Sequence, residues 1–546
     1  MTVTAEAPAA APATTEPPAQ AAPLPGLAAV LGSADHKVVG RVWIVAALIH
    51  LALGGVASVA VAAERIDSAS FDILGGDWFT QIATYRSIGL AFLFLLPFTI
   101  GIATSVVPLQ VGAPTLAFPR AAAAAAWTYL FGGALVIASY GIDGGLGGSD
   151  TDGVRLFVAS FVLVLVALTV AWIAVVTTVI ALRPRGLRLN RAPLFAWSTV
   201  VAGGVWIVTL PVLAGLAVLS YLDVRYGTPL GGDSTAIYAR IAWVFSTPAV
   251  YAFAIPALGV IGSVVPVFLQ TRHQQHRVAQ GLIGAFGALS IGAWTMPRFG
   301  DLGRPWLYEG PWIVVSFAIL VPVLGLVGLW ALTAQRGKPV VGSPLLFAVA
   351  SLLVLLLGLA AGAVQAIKPI ETIVDGDGTP LWGTAWSTGV SSLVLLAAGI
   401  ALFGALVYWA PKILGRTLAD TPVKGLVPLF LLGALVWGVP QLVAGLFGQP
   451  GDPGLRAGDN VDLLETLSLV STVGAALLAL AVIGLVGLIA KSLAGDDAAA
   501  DDPWNGHTLE WATTSPPPPG NFTELPAITS EAPLYDARRP SEEVSA

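Results

Sequence analysis

The chain has 546 residues, 56% of them hydrophobic and only 11% charged, with a formal net charge of -6 and a mean hydropathy of +0.82. Soluble proteins carry roughly twice that charged fraction, so a soluble globular protein is excluded and no nucleic-acid partner is expected. The absence of cysteine excludes disulfides and thiolate-bound metals.

Residues 1–30 are rich in Ala, Pro and Thr and lack a basic start, which predicts a disordered tail and no signal peptide. Apolar spans follow near 39–63, 84–109, 121–142, 154–182, 196–223, 236–269, 278–297, 312–334, 343–367, 384–409, 425–447 and 465–490. Most exceed the ~20 residues that cross a bilayer. Period-2 alternation is absent, and backbone in lipid must be closed into helices or a barrel. The expectation is an all-α bundle of about twelve transmembrane helices over residues 31–492, followed by a polar, Pro-rich tail over 493–546.

The loops on one side hold most of the Lys and Arg, among them Lys37, Arg120, Arg183, Arg272, Arg336 and Lys412. On the other side basic residues are interleaved with Asp and Glu. Basic loops face the cytoplasm, so both termini are expected there. Pro97, Pro248, Pro256 and Pro322 fall inside spans, and neighbouring helices must cover the backbone groups they free.

The interior offers little chemistry. No histidine lies between His50 and His273 or between His276 and His507, and Met296 is the one methionine after the start. No Asp, Glu or Lys falls well inside a span, and buried ionisable relays are what proton and cation movement needs.

Six segments, in order, resemble subunit I of the heme–copper oxidases. DHKVVG (35–40), VVPLQVGAPTLAFPR (106–120), GGDSTAIYARIAWVFSTPAVY (231–251), VPVLGLVGLW (321–330), YWAPKILGR (408–416) and WNGHTLEWATTSPPPPGNF (504–522) are similar to that family's DHK start, GAPDMAFPR loop, HPEVY segment, IPTG-x-K helix, PK-x-x-GR helix end and TLEW-x-x-SPPP tail. The resemblance implies a twelve-helix fold, heme and copper cofactors, and docking to subunits II and III in a bacterial cytoplasmic membrane.

The same resemblance locates the positions that carry the family's chemistry. The copper-ligand histidine falls on Thr247 and the proton-delivering glutamate on Ala249. Tyr251 matches the tyrosine that the family cross-links to the histidine here replaced by Thr247. The paired copper histidines fall in the Trp294-to-Pro297 segment, with Met296 and Pro297 in their place. The heme ligands of the HFH motif fall on Gly389 and Ser391, and the remaining low-spin heme ligand falls near Arg86. Thr115 and Leu326 stand where proton paths have Asp and Lys. Heme iron needs an imidazole, thiolate, thioether or phenolate, and copper in such a site wants several imidazoles. No heme or copper is therefore expected.

His50 lies mid-span where the family puts no ligand, and reads as a neutral imidazole hydrogen-bonded to a neighbouring helix. Met296 reads as packing. His273 and His276 read as a solvated basic loop. Arg240 reads as snorkelling to the interface. Arg86 either snorkels or holds an anionic group in the space the resemblance assigns to heme; a guanidinium cannot ligate iron.

Three functions are weighed. The first is a non-catalytic subunit I-like protein, structural or regulatory in a respiratory assembly. The second is a membrane binding or transport protein holding a lipid, quinone or other apolar ligand in the heme space. The third is a terminal oxidase with unusual ligation.

Overall fold

A computed structural model describes residues 30–66, 74–227, 234–292, 306–367, 381–451, 461–496 and 498–539. Residues 34–546 form one compact unit, helical throughout its core. Its elements are α1 (His36–Glu64), α2 (Gly75–Ile88), a π-helical turn (Gly89–Leu95), α3 (Leu96–Gln110), α4 (Pro119–Gly141), α5 (Thr151–Ala181), α6 (Leu194–Tyr226), α7 (Ser234–Ala242), α8 (Ile255–Phe268), α9 (His276–Leu289), α10 (Trp306–Ala318), α11 (Leu320–Arg336), α12 (Ser343–Val364), α13 (Ala385–Leu414), α14 (Asp420–Leu446), α15 (Val461–Ala494) and a short α16 (Pro533–Arg538).

Local chemistry sets the helix ends. Asp35 caps α1 by accepting from the Lys37 amide, and Asp150 caps α5 by accepting from that of Gly153 at 2.6 Å. α13 stops at Gly415, whose φ of 68° lies in the left-handed region and whose amide returns to the Pro411 carbonyl at 3.1 Å.

Eleven helices among the described residues are long and apolar enough to cross a membrane. α9 accounts for the seventh expected span and has 14 residues, about 21 Å at 1.5 Å per residue. The rest of that span, with Met296 and Pro297, lies outside the described residues. The sixth expected span, 236–269, is broken. α7 ends at Ala242, a 3-10 turn covers Trp243–Phe245, the Thr247–Pro248 bond is cis, and a second 3-10 turn at Ala249–Ala254 leads into α8. Pro248 and Pro256 remove helical donors there, and the apolar composition alone did not reveal the break.

Small residues let the helices approach closely. A Cβ on Gly40 of α1 would meet the Gly101 carbonyl of α3 at 2.8 Å, and one on Gly433 of α14 would meet that of Gly474 of α15 at 3.1 Å. The spans formed by Trp78–Gln110 and Ala249–Phe268 are 94% buried, whereas Val461–Ala494 is 22% buried. The former are central and α15 is peripheral.

The C-terminal segment folds back over one end of the bundle, here called the tail face. The His36 ring lies between the Thr104 carbonyl at 3.0 Å and the Asn521 side-chain oxygen at 2.9 Å. Asn521 donates to the Ala113 carbonyl at 2.8 Å. Lys412 donates to the backbone carbonyls of Asp501 at 2.9 Å and Thr513 at 2.5 Å. Glu510 is fully buried and its Oε1 accepts from Gln110 at 3.0 Å and Trp409 at 3.2 Å. Four of the six segments that carry the family resemblance therefore meet on this face.

Candidate functional site

The positions of interest divide between two regions of the bundle. In the first, the polypeptide is closed upon itself. Thr247 is buried, its hydroxyl lies 3.4 Å from the Gln365 side-chain oxygen, and its carbonyl accepts from the Trp312 indole at 3.3 Å. Ala249 and Tyr251 are buried in the adjoining 3-10 turn. The Tyr251 hydroxyl occupies the space a Cβ on Gly362 would take, so it lies directly on the α12 backbone. Gly389 of α13 faces α14 at similarly close range. A Cβ there would stand 2.9 Å from Leu442 Cδ2 and 3.0 Å from the Leu442 amide nitrogen. An imidazole at position 389 has no room without moving α14, and the residues present do not fit a second heme or a copper ion.

The second region is open. A cavity of about 1290 Å³ runs between α1, α2, α13, α14 and α15. Ser391 lines it, with its hydroxyl 2.6 Å from the Phe245 carbonyl and 2.8 Å from that of Ser387. Ser391 thus satisfies itself on backbone and offers no iron ligand. Most of the remaining wall is apolar, including Leu48, Leu90, Phe403 and Phe430. Arg86, which is 5% exposed, also lines it, and its guanidinium lies 5.8 Å from the Trp437 ring centroid. Arg86 does not snorkel: it is buried, two residues before the α-helix gives way to the π-helical turn.

Arg86 and Trp437 belong at the same time to the wall of a second, small cavity of about 30 Å³. Arg65, Gln441, Gln449, Ser468 and Ser471 complete most of its polar lining. Arg65 was not singled out from sequence, because its place just beyond α1 reads as an ordinary loop charge. The pairing across α1 and α2 is visible only once the helices are packed.

Other candidates lie apart. His50 is 5% exposed, packs against Gly133, and lies 6.0 Å from the Tyr129 ring. Its Nδ1 has no hydrogen-bond partner among the described residues, unlike the bonded imidazole expected. Leu326 is fully buried in α11, and Thr115 is half-buried in the tail-face loop after α3. His273 and His276 are buried, not solvated, with rings 6.1 Å apart. His276 Nε2 lies 3.0 Å from the Ala192 carbonyl, and burial lowers the His273 pKa to about 4. Arg240 does not snorkel either: it pairs with Asp223, whose carboxylate is fully buried, at 3.1 Å. Among the described residues no three His, Asp or Glu side chains gather closely enough to hold a metal.

The fold has solved counterparts. A heme–copper terminal oxidase dimer determined by cryo-EM superposes with a TM-score of 0.67 over 92% of this chain and 89% of its own, at 14% identity. Three relatives described as cytochrome c oxidase subunit 1 match nearly end to end. That of Thermostichus vulcanus is 27% identical, covering 93% of each chain. That of Synechocystis is 29% identical, covering 90% of each. That of Bacillus subtilis is 29% identical, covering 92% of this chain and 82% of its own. Residues 38–477 match the family model described as cytochrome c and quinol oxidase polypeptide I. The helical bundle, the tail-face motifs and this match agree: the chain belongs to the cytochrome c and quinol oxidase polypeptide I family.

Proposed function

We propose that this chain is a non-catalytic member of its family, a multi-pass protein of the bacterial cytoplasmic membrane with both termini on the cytoplasmic side. Its role is structural or regulatory within a respiratory assembly. One observation supports the reading: at Gly389, which the resemblance assigns to a heme ligand as it assigns Thr247, Ser391 and Arg86 to others, a Cβ would already stand 2.9 Å from Leu442 Cδ2 and 3.0 Å from its amide nitrogen. The tail-face motifs, which lie away from those positions, hold the C-terminal segment on the bundle through His36, Lys412, Glu510 and Asn521. A scaffold kept while a centre is lost is what a structural subunit requires. The partners proposed are proteins like oxidase subunits II and III.

The test is a reduced-minus-oxidised spectrum of the chain purified from its native membrane in mild detergent, together with identification of co-purifying proteins. The expected result is no Soret band, no stoichiometric copper, and an oxidase-subunit-like partner. A Soret band, or copper at one ion per chain, refutes the non-catalytic reading and favours an oxidase with unusual ligation. Purification of the chain alone removes the docking role.

A second reading is supported by the cavity of about 1290 Å³ beside Ser391. It is larger than the ~300–1,000 Å³ common for small-molecule sites and mostly apolar. On this reading the chain binds a membrane-soluble ligand there.

A further inference from the structure

We propose that the large cavity binds one uncharged isoprenoid alcohol, its hydroxyl at the Ser391 end and its chain running past the middle of the bilayer between α1, α13 and α15. The proposal deepens the second reading above and rests on it.

The two ends of the chamber differ. Away from the tail face, the last turns of α1 and the first turns of α13 form the wall, which carries Ser58, Ser387 and Ser391. Their hydroxyl protons go to the carbonyls of Gly54 at 2.8 Å, Thr384 at 2.9 Å and Phe245 at 2.6 Å. A serine oxygen that has donated still accepts, so this end offers acceptors to a ligand that donates. Toward the tail face the wall turns to hydrocarbon, with Val45, Phe403, Phe430 and Val486.

Charge takes no part in this recognition. Among the described residues no carboxylate or ammonium lines the chamber, and Arg86, the charged group on its wall, has interaction partners of its own within the protein. The head of the ligand is therefore uncharged and carries an O–H. The head of an oxidised quinone, which only accepts, does not match the serine oxygens.

Length selects the chain. The α1 wall runs from Val45 to Ala63, which is about 27 Å along a helix axis. The hydrocarbon core of a bilayer is ~30 Å thick, so a phospholipid acyl chain, confined to one leaflet, covers about half of the chamber. A polyisoprenoid is long enough to cross the midplane and occupy the rest. Val56 and Ile483, on the α1 and α15 sides, are 70% and 68% exposed. The chamber thus opens sideways beside the peripheral α15, where a lipid enters from the bilayer. Hydrocarbon leaving one apolar surrounding for another gains little from burial. Preference arises instead from close packing along the chain and from the hydrogen bond at its head.

Native mass spectrometry of the full-length chain in detergent, titrated with solanesol, farnesol and squalene, separates these features. Solanesol has a long isoprenoid chain and a hydroxyl, farnesol is its short homologue, and squalene lacks the hydroxyl. Solanesol is expected to bind roughly tenfold more tightly than either. The double variant Ser387→Ala with Ser391→Ala is expected to bring solanesol down to the affinity of squalene. Gly399 lines the chamber, and a Cβ there meets nothing within 4 Å. Gly399→Phe is therefore expected to block solanesol while leaving the melting temperature unchanged or higher. Equal binding of solanesol and farnesol overturns the chain assignment, and equal binding of solanesol and squalene overturns the alcohol. Either result, with binding lost in Gly399→Phe, leaves the second reading standing. Binding of none of the three probes, or binding untouched by Gly399→Phe, overturns both.

Discussion

The side-chain oxygen of Asn521 accepts from the His36 ring across 485 positions of sequence, at 2.9 Å, while the same side chain donates to the Ala113 carbonyl. This one residue fastens the C-terminal segment to the first helix and to the loop after α3. Its φ of 71° lies in the left-handed region, which Asn tolerates better than most residues.

Replacing Asn521 with Ala leaves a buried imidazole nitrogen and a buried carbonyl without partners. The expected cost is about 1–3 kcal/mol, concentrated on the tail face. Limited proteolysis should cut within 498–539 at protease concentrations that spare the wild type, and loss of partner co-purification should follow. An unchanged cleavage pattern would show that the tail is held elsewhere.

Restoring histidine at position 389 should not restore a cofactor. The Cβ alone meets Leu442 at 2.9 Å, and overpacking of a close helix contact costs about 1–3 kcal/mol. Gly389→His is expected to melt lower than the wild type and to show no heme absorbance. Gly389→Ala should lie between the two. Leu442→Ala should recover part of the loss in the histidine variant by making room.

The Arg240–Asp223 pair joins α7 to α6, with the carboxylate fully buried. Asp223 is fully buried but Arg240 is 23% exposed and also donates to Ser220, so breaking the pair is expected to cost less than the about 3–5 kcal/mol of a fully buried one. Asp223→Leu is thus expected to lower the melting temperature. The double variant Asp223→Leu with Arg240→Met should recover most of it. Detergent-solubilised melting followed by size-exclusion chromatography measures both.

Glu510 makes the tail face sensitive to base. Burial raises its pKa above the ordinary carboxylate value of 4.5, so the folded state holds its proton more tightly than the unfolded state. Stability from this group is complete below about pH 4.5 and declines as pH rises toward the folded pKa. Glu510→Gln keeps an oxygen acceptor for Gln110 and Trp409 without the ionisation. The variant should gain stability over the wild type as pH is raised, and the two should converge in acid. Parallel melting curves at every pH would contradict this.

His507 and His273 act with the opposite sign. Burial is the first cause for both; nearby arginines add to it at His507, and His276 adds to it at His273. Each pKa is lowered to about 4 from 6.5. The unfolded chain therefore binds more protons between about pH 6.5 and 4, and stability falls as pH drops through that window. His507 packs edge-on against Tyr535 with ring centroids 4.8 Å apart. His507→Phe should retain that contact and show a weaker acid-induced loss of the tail-face fold, read by proteolysis of the tail from pH 7 to 4.

Much of this architecture was legible because its signals are local. Apolar runs longer than the membrane is thick fixed ten of the spans closely. The interruption at Thr247–Pro248 was less legible, since hydropathy does not distinguish a 3-10 turn from an α-helix. Partnerships between distant segments were not legible at all. Arg240 looked like an interfacial charge until Asp223 was brought beside it, and His273 and His276 looked solvated until the tail-face loops covered them. The contrast between a closed region at Gly389 and an open one at Ser391 is hidden for the same reason. Two positions in one helix, two residues apart, face different neighbours.

The seven residues of π-helix at Gly89–Leu95 have a bearing on how this scaffold can drift. Such a turn holds one residue more than α-geometry allows. Excising a single residue there would let the helix rewind and would turn everything on its N-terminal side by about 100°. Arg86 would then leave the interior face with no change to its own codon. A surplus of backbone beside the inward guanidinium thus gives one three-base deletion more reach over it than most substitutions among its neighbours.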